Sequence, residues 1–197
     1  MKQPKRTLGR TALFIAAAIA LCSCSSGKNE DAAGAGGEAT AASPGKEAVN
    51  APLKAELVNI DVKVTKGPSY DAATDQLRVT VALTNNGPVV LPVTGRNPVT
   101  MGVVQKVASD NGLPDKRGEE TRAAFTEDIA PTQTGLVEVT LPAAFAVGHK
   151  VEFDALQEGV AWFGFTYDQD TAVVGPFRRC DGDVGLCGSD GTPLPTL

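Results

Sequence analysis

From residue 53 onward the chain alternates between apolar and polar positions. Leu77, Val79, Val81 and Leu83 are separated by Arg78, Thr80 and Ala82 and followed by Thr84, the period of two shown by a strand with one buried face. Asn85-Asn86-Gly87-Pro88 ends that run with turn residues. Upstream, Leu53, Ala55 and Leu57 occupy odd positions while Ile60, Val62 and Val64 occupy even ones. The register must therefore change around Val58-Asn59, through a bulge or a strand that passes between sheets. Further strands are predicted near Met101 to Ser109, Leu136 to Leu141, Lys150 to Leu156, Val160 to Tyr167 and Ala172 to Arg178, separated by turn residues at the spacing of a sandwich. No long segment has helical periodicity, which argues against a parallel α/β sheet. The expected class is all-β, an antiparallel β-sandwich.

The N-terminal quarter reads differently. Lys2, Lys5, Arg6 and Arg10 precede an uncharged run from Thr11 to Cys24, the charged and apolar regions of a secretory signal. The run is shorter than the roughly 20 apolar residues a membrane-spanning helix needs, so it reads as a cleaved address. Leu21-Cys22-Ser23-Cys24 resembles the lipobox of bacterial lipoproteins, which implies cleavage before Cys24 and acylation of that cysteine with diacylglycerol and palmitate. An ordinary secreted protein cut near Ser23 is the plainer alternative. Several acyl chains hold a protein firmly where one does not. The small polar residues of 25–52 cannot bury enough surface to offset chain entropy. The organisation expected is therefore a signal peptide over 1–23, a lipidated cysteine and disordered tether over 24–52, a sandwich over 53–178 and a disulfide-closed tail over 179–197. The location that follows is the non-cytoplasmic side of the cell envelope, lipid-anchored; Ser25 after the lipidated residue implies the outer membrane in a bacterium with two.

Charge and cysteines narrow the partners. Loss of the leader's four basic residues from the chain's 18 leaves 14 against 23 acids, moving the formal charge from -5 to -9. Such a surface repels phosphate backbones, so nucleic acid is not expected as a partner. Cys22 leaves with the leader and Cys24 takes lipid, so Cys180 and Cys187 remain to form a disulfide in an oxidising compartment. A metal site there would need two more ligands nearby, and the chain's one histidine, His149, lies far upstream.

Five stretches suggest a family: residues 79–87 (Val-Thr-Val-Ala-Leu-Thr-Asn-Asn-Gly), 97–102 (Asn-Pro-Val-Thr-Met-Gly), 128–131 (Asp-Ile-Ala-Pro), 137–142 (Val-Glu-Val-Thr-Leu-Pro) and 153–163 (Phe-Asp-Ala-Leu-Gln-Glu-Gly-Val-Ala-Trp-Phe). Together they resemble the immunoglobulin-like β-sandwich module appended to bacterial glycosyltransferases and other cell-surface polysaccharide proteins. The chain departs from that pattern at Val90-Leu91-Pro92, where the family places an aromatic, and at Pro131-Thr132, where it places Pro-Gly. The resemblance implies an immunoglobulin-like fold in a polysaccharide setting.

Candidate ligand-binding residues cluster late in the chain. Read as a strand, 160–167 puts Phe163, Phe165 and Tyr167 on one face and Trp162 beside Gly164 on the other. If the phenylalanine face is core, Trp162 lies over the bare backbone of Gly164 as a platform for a sugar ring; in the opposite arrangement it fills the core with its indole N–H satisfied locally. Gln157-Glu158-Gly159 forms the preceding bend, where Glu158 accepts either sugar hydroxyls or the free amides of the turn. Arg96 and Asn97, in a proline-bounded loop, are donors for a polar ligand or simply solvated. Asp181-Gly182-Asp183 and Asp190-Gly191 offer oxygen ligands but lack the spacing of a twelve-residue calcium loop, so no metal or other cofactor is assigned. One histidine and no Gly-x-Ser-x-Gly elbow leave nucleophilic hydrolysis without its parts, and no carboxylate pair stands out for a glycosidase. The function expected is a non-catalytic binding module for cell-surface polysaccharide or glycan-handling machinery, the alternative being an envelope scaffold that binds another envelope protein.

Overall fold

The computed structural model describes residues 50–109, 112–182 and 185–197. The signal peptide, Cys24, nearly all of the tether and Asp183 lie outside the described residues. The protein is all-β, with antiparallel sheets. In one, β1 (Ile60–Asp71), β2 (Gln76–Asn85) and β5 (Thr134–Pro142) lie in the order β1-β2-β5. In the other, β3 (Val99–Val107), β4 (Lys116–Ala124), β6 (Lys150–Gln157) and β7 (Ala161–Trp162) lie in the order β4-β3-β6-β7, and β8 (Ala172–Val174) also pairs with β6. In this sandwich-like arrangement the fourth strand sits on the edge beside the third.

Alternation builds the core. Leu77, Val79, Val81 and Leu83 of β2 are at most 1% exposed, because β2 is flanked on both sides and covered by the second sheet. Facing them are Val99, Met101 and Val103 of β3 and Val151, Phe153 and Ala155 of β6. The turn that ends β2 is organised from within. Buried Asn85 donates its side-chain amide to the carbonyls of Val89 (2.8 Å) and Ile129 (2.9 Å), and its Oδ1 accepts the Gly87 N–H. Such a buried amide is tolerable because every polar atom finds a partner.

The expected strand 172–178 is broken into β8 (Ala172–Val174) and β9 (Arg178–Arg179), and two others differ more. Residues 53–58 are a strap, not a strand, with a 3-10 turn at Ala55–Leu57 that produces the change of register seen in the sequence; the irregularities in β1 fall later, between Val64 and Ser69. The strap is clamped by Gln157. That fully buried side chain accepts the Leu53 N–H at 2.8 Å and donates to the carbonyls of Ala51 (3.0 Å) and Asn97 (3.2 Å). Residues 160–167 are likewise not a continuous strand. After two residues of β7 the chain turns into the short helix α2 (Phe163–Tyr167), α1 being the single turn Ala143–Ala146 after β5, and rejoins the β6 edge as β8. The cause is Asp154, an acid in mid-strand whose carboxylate accepts the N–H groups of Gly164 (2.7 Å) and Phe165 (3.2 Å) and so draws the edge out of the ladder. Phe163 is then buried, Tyr167 stacks on it with centroids 5.9 Å apart, and Phe165 is thrown outward.

The tail closes the opposite end. Cys180 and Cys187 are joined by a disulfide, with the hairpin of β9 (Arg178–Arg179) and β10 (Leu186–Cys187) around it. Leu186 is buried, and residues 195–197 run beside β1, where the Tyr70 N–H bonds to the Pro195 carbonyl and the Leu197 N–H to the Tyr70 carbonyl. Arg179 grips Asp75 with two hydrogen bonds of 2.6 and 2.8 Å, and the Tyr70 hydroxyl donates to the same carboxylate.

Candidate functional site

The outward face of the β4-β3-β6-β7 sheet is where polar chemistry concentrates. At its centre Gly102 pairs with Arg122 on one side and Asp154 on the other. Lacking a side chain, it leaves a bare patch of backbone on which Trp162 lies; a Cβ there would collide with the indole. Above the ring the Arg117 and Arg122 guanidiniums sit 4.0 and 4.4 Å from its centroid, an arrangement that favours arginine through its flat, weakly hydrated cation. Trp162 is therefore neither a core residue nor an open platform over Gly164. Its support is Gly102, and Gly164 instead packs against Thr171 and Asp154.

Arg122 and Lys106 are each tied to an acid of the same face. Arg122 reaches Glu120 at 3.0 Å and Glu158 at 3.2 Å, and Glu158 also accepts the Thr100 hydroxyl at 2.8 Å. Glu158 thus binds side chains of β3 and β4 and not the turn amides expected from sequence. Lys106 pairs with Glu152 at 3.0 Å. Asp154 is 1% exposed, and that burial raises its pKa above the ordinary value; the charge of Glu152 acts in the same direction, while the amides of Gly164 and Phe165 and the charge of Arg117 oppose it. Its carboxylate is committed to those amides, so it acts as a support for α2.

Beside this layer lies a depression of about 350 Å³ lined by Arg122, Glu158, Gly159, Val160, Trp162 and Phe165. Phe165 forms its rim and is 76% exposed, a large apolar ring standing in a polar field. The structure brings Trp162 and Glu158 together here. Gln157 also borders the depression, whereas Arg96 and Asn97 stand elsewhere. Gln157 spends its side chain on the strap, in the interior. Asn97 contributes a carbonyl to that clamp and takes a left-handed φ of 58°, and Arg96 offers a carbonyl to the Asn50 N–H. Neither Arg96 nor Asn97 lines the depression. A separate hollow of about 330 Å³ near Phe125 and Leu136 adjoins Asp128, whose carboxylate is taken by the Val93 N–H.

Arg117 and Arg122 escaped the sequence reading because β4, Lys-Arg-Gly-Glu-Glu-Thr-Arg-Ala-Ala, has no apolar alternation: it is an edge strand exposed along most of its length. The signal that was present is its dense mixed charge, typical of a guarded edge. Among the described residues no group of three His, Cys, Asp or Glu side chains is placed to hold a metal ion, and no helix is long and apolar enough to cross a membrane.

No protein-family model matches the sequence, and no curated protein matches it. Among solved structures the chain is similar to Spo0M, the sporulation control protein from Bacillus subtilis, with a TM-score of 0.34 and 12% identity over 60% of this chain and 48% of that one. The chain thus spans about half of that protein's length, and a likeness this slight carries no functional argument.

Proposed function

We propose that the protein is a lipid-anchored lipoprotein of the cell envelope whose immunoglobulin-like domain binds glycan, without catalysis, on the outward face of the β4-β3-β6-β7 sheet. The observation that carries the reading is Phe165: an aromatic ring 76% exposed at the rim of a depression whose walls, Arg122 and Glu158, are ion-paired. Small-ligand sites combine aromatic surface with a few fixed polar groups in this way. Sugar rings present apolar C–H faces for the phenyl ring, and hydroxyls that both donate to carboxylates and accept from guanidiniums. The polysaccharide setting implied by the sequence resemblance agrees with it, and the Leu21-Cys22-Ser23-Cys24 motif supports the anchor.

Affinity electrophoresis of the mature chain in gels containing the bacterium's own surface polysaccharide tests the reading. Retardation that disappears in Phe165→Ala is expected; equal mobility with and without polysaccharide rejects it. The second reading, a scaffold that binds protein, is favoured by Leu136, 60% exposed on the edge strand β5; it predicts capture of an envelope protein that is lost in Leu136→Lys and unaffected by Phe165→Ala. Mass spectrometry of the native N-terminus tests the anchor, and an unacylated Cys24 would remove it.

A further inference from the structure

Phe165 has two sides. Beyond it, away from Glu158, a second depression of about 380 Å³ opens, walled by Lys106, Arg117, Glu152, Asp154 and Asp168, with Phe165 again at its rim. We infer that this is a second sugar subsite, and that the ligand is a non-anionic glycan chain of at least two units lying across the Phe165 ring. The inference rests on the glycan reading above and adds the chain length and the charge class.

Arg117 is the first reason. Its guanidinium is fixed between two rings, 4.0 Å from the Trp162 centroid and 5.5 Å from that of Phe165. The nearest carboxylates, Glu120 at 3.7 Å and Asp154 at 3.9 Å, are too far for good hydrogen bonds. Its Nη2 is buried without a hydrogen-bond partner among the described residues. A guanidinium carries five N–H donors; Nη1 is the nitrogen on the side of Asp154, which lines the depression, and the partly exposed side chain has donors left for an incoming oxygen. The second reason is that acceptors stand beside it. Glu152 accepts from Lys106 and, at 3.3 Å, from the Thr171 hydroxyl, and Asp168 is exposed with no ion pair among the described residues. A hydroxyl bridging such a wall would donate to an acid and accept from a cation.

Charge sets the class. Two cations, Lys106 and Arg117, line this depression against four acids, Asp115, Glu152, Asp154 and Asp168. A uronate, sulfate or phosphate group would meet this excess of like charge at close range, which is the usual means of excluding a wrong ligand. Chain length follows from the shared rim, since one ring separates two depressions of similar size and linked contacts bind more tightly than either alone.

The experiment applies the full mature chain to an array of neutral hexose and N-acetylhexosamine oligosaccharides of one to four units, with uronate-containing oligomers beside them. Calorimetry then follows on the best neutral series for the native protein, Phe165→Ala and Asp168→Asn; asparagine tolerates the left-handed backbone of position 168, so this variant retains the fold. The expected result is at least about a tenfold gain in affinity from monomer to oligomer, with uronate oligomers about tenfold or more weaker. Asp168→Asn should weaken the oligomer several-fold and leave the monomer unchanged, while Phe165→Ala weakens both. Equal affinity for monomer and oligomer, or uronate chains bound as well as neutral ones, overturns the inference while the glycan reading stands. Absence of binding to every glycan, with the native polysaccharide also failing to retard the protein, overturns both.

Discussion

The contact between Trp162 and Gly102 can be broken by one methyl group. In Gly102→Ala the new Cβ would overlap the indole, lying 2.6 Å from its Cη2, and would also lie 2.8 Å from the carbonyl oxygen of Asp154 on the paired strand. The strand cannot retreat, because Gly102 is bonded between β4 and β6, so the indole must lift. Overpacking of this kind costs about 1–3 kcal/mol, and displacement of the ring from Arg117 and Arg122 forfeits about 0.5–1 kcal/mol for each partly exposed cation–π contact. The expected destabilisation is therefore about 2–5 kcal/mol. Trp162 is the one tryptophan of the chain, so denaturant unfolding followed by its fluorescence reports on this site, with far-UV circular dichroism reporting on the whole domain. The emission of the folded variant should shift to the red as the ring becomes wetter. A loss below about 0.5 kcal/mol, the scale of an ordinary surface substitution, with unchanged native emission, would refute the packing of Trp162 on bare backbone.

Three other outcomes follow from the same geometry. Gln157→Leu leaves the Leu53 N–H and the Ala51 and Asn97 carbonyls without their partner and should cost about 2–4 kcal/mol, limited by how far the strap can swing into water; hydrogen exchange at the Leu53 amide should accelerate in step, and unchanged protection would contradict the clamp. Asp75 has its pKa held down from the ordinary 3.8 to about 2, chiefly by the Arg179 guanidinium and then by the Tyr70 hydroxyl. Its folded value lies below its unfolded one, so its contribution is complete above about pH 4 and disappears as the pH falls toward 2. Thermal melts over that range should fall less steeply in Asp75→Asn, and parallel curves would exclude the pair as an acid-sensitive clasp. Replacing Cys180 and Cys187 together by serine should cost about 2.5 kcal/mol on the chain-entropy account of an eight-residue loop, measured by denaturant unfolding.

The parts of the fold legible in sequence were those where one physical demand dominates. β2 is sandwiched laterally and covered on one face, so Leu77 to Leu83 alternate cleanly and its end at Asn85 is marked by turn chemistry. β4 carries no such pattern because its environment is solvent on most sides, and with it Arg117 and Arg122 went unrecognised. The stretch 160–167 misled for a different reason. Phe163, Phe165 and Tyr167 recur at the strand period, yet an acid ten residues upstream captures the local amides and turns the backbone into a helix, a tertiary effect that no local periodicity reports. Half of the candidate site was legible, since Trp162 and Glu158 stand out by residue type. The other half depends on which residue of the aromatic run faces outward, and that is decided by Asp154.

The strap and the tail engage opposite ends of β1. Residue 50 enters beside Arg96 and Gln157, near the Ile60 end, whereas residues 195–197 run beside Tyr70, ten residues further along the strand. At about 3.3 Å per residue this places the two attachment points roughly 30 Å apart. A fluorophore or a second domain fused after Leu197 would project from the pole remote from the entry strap.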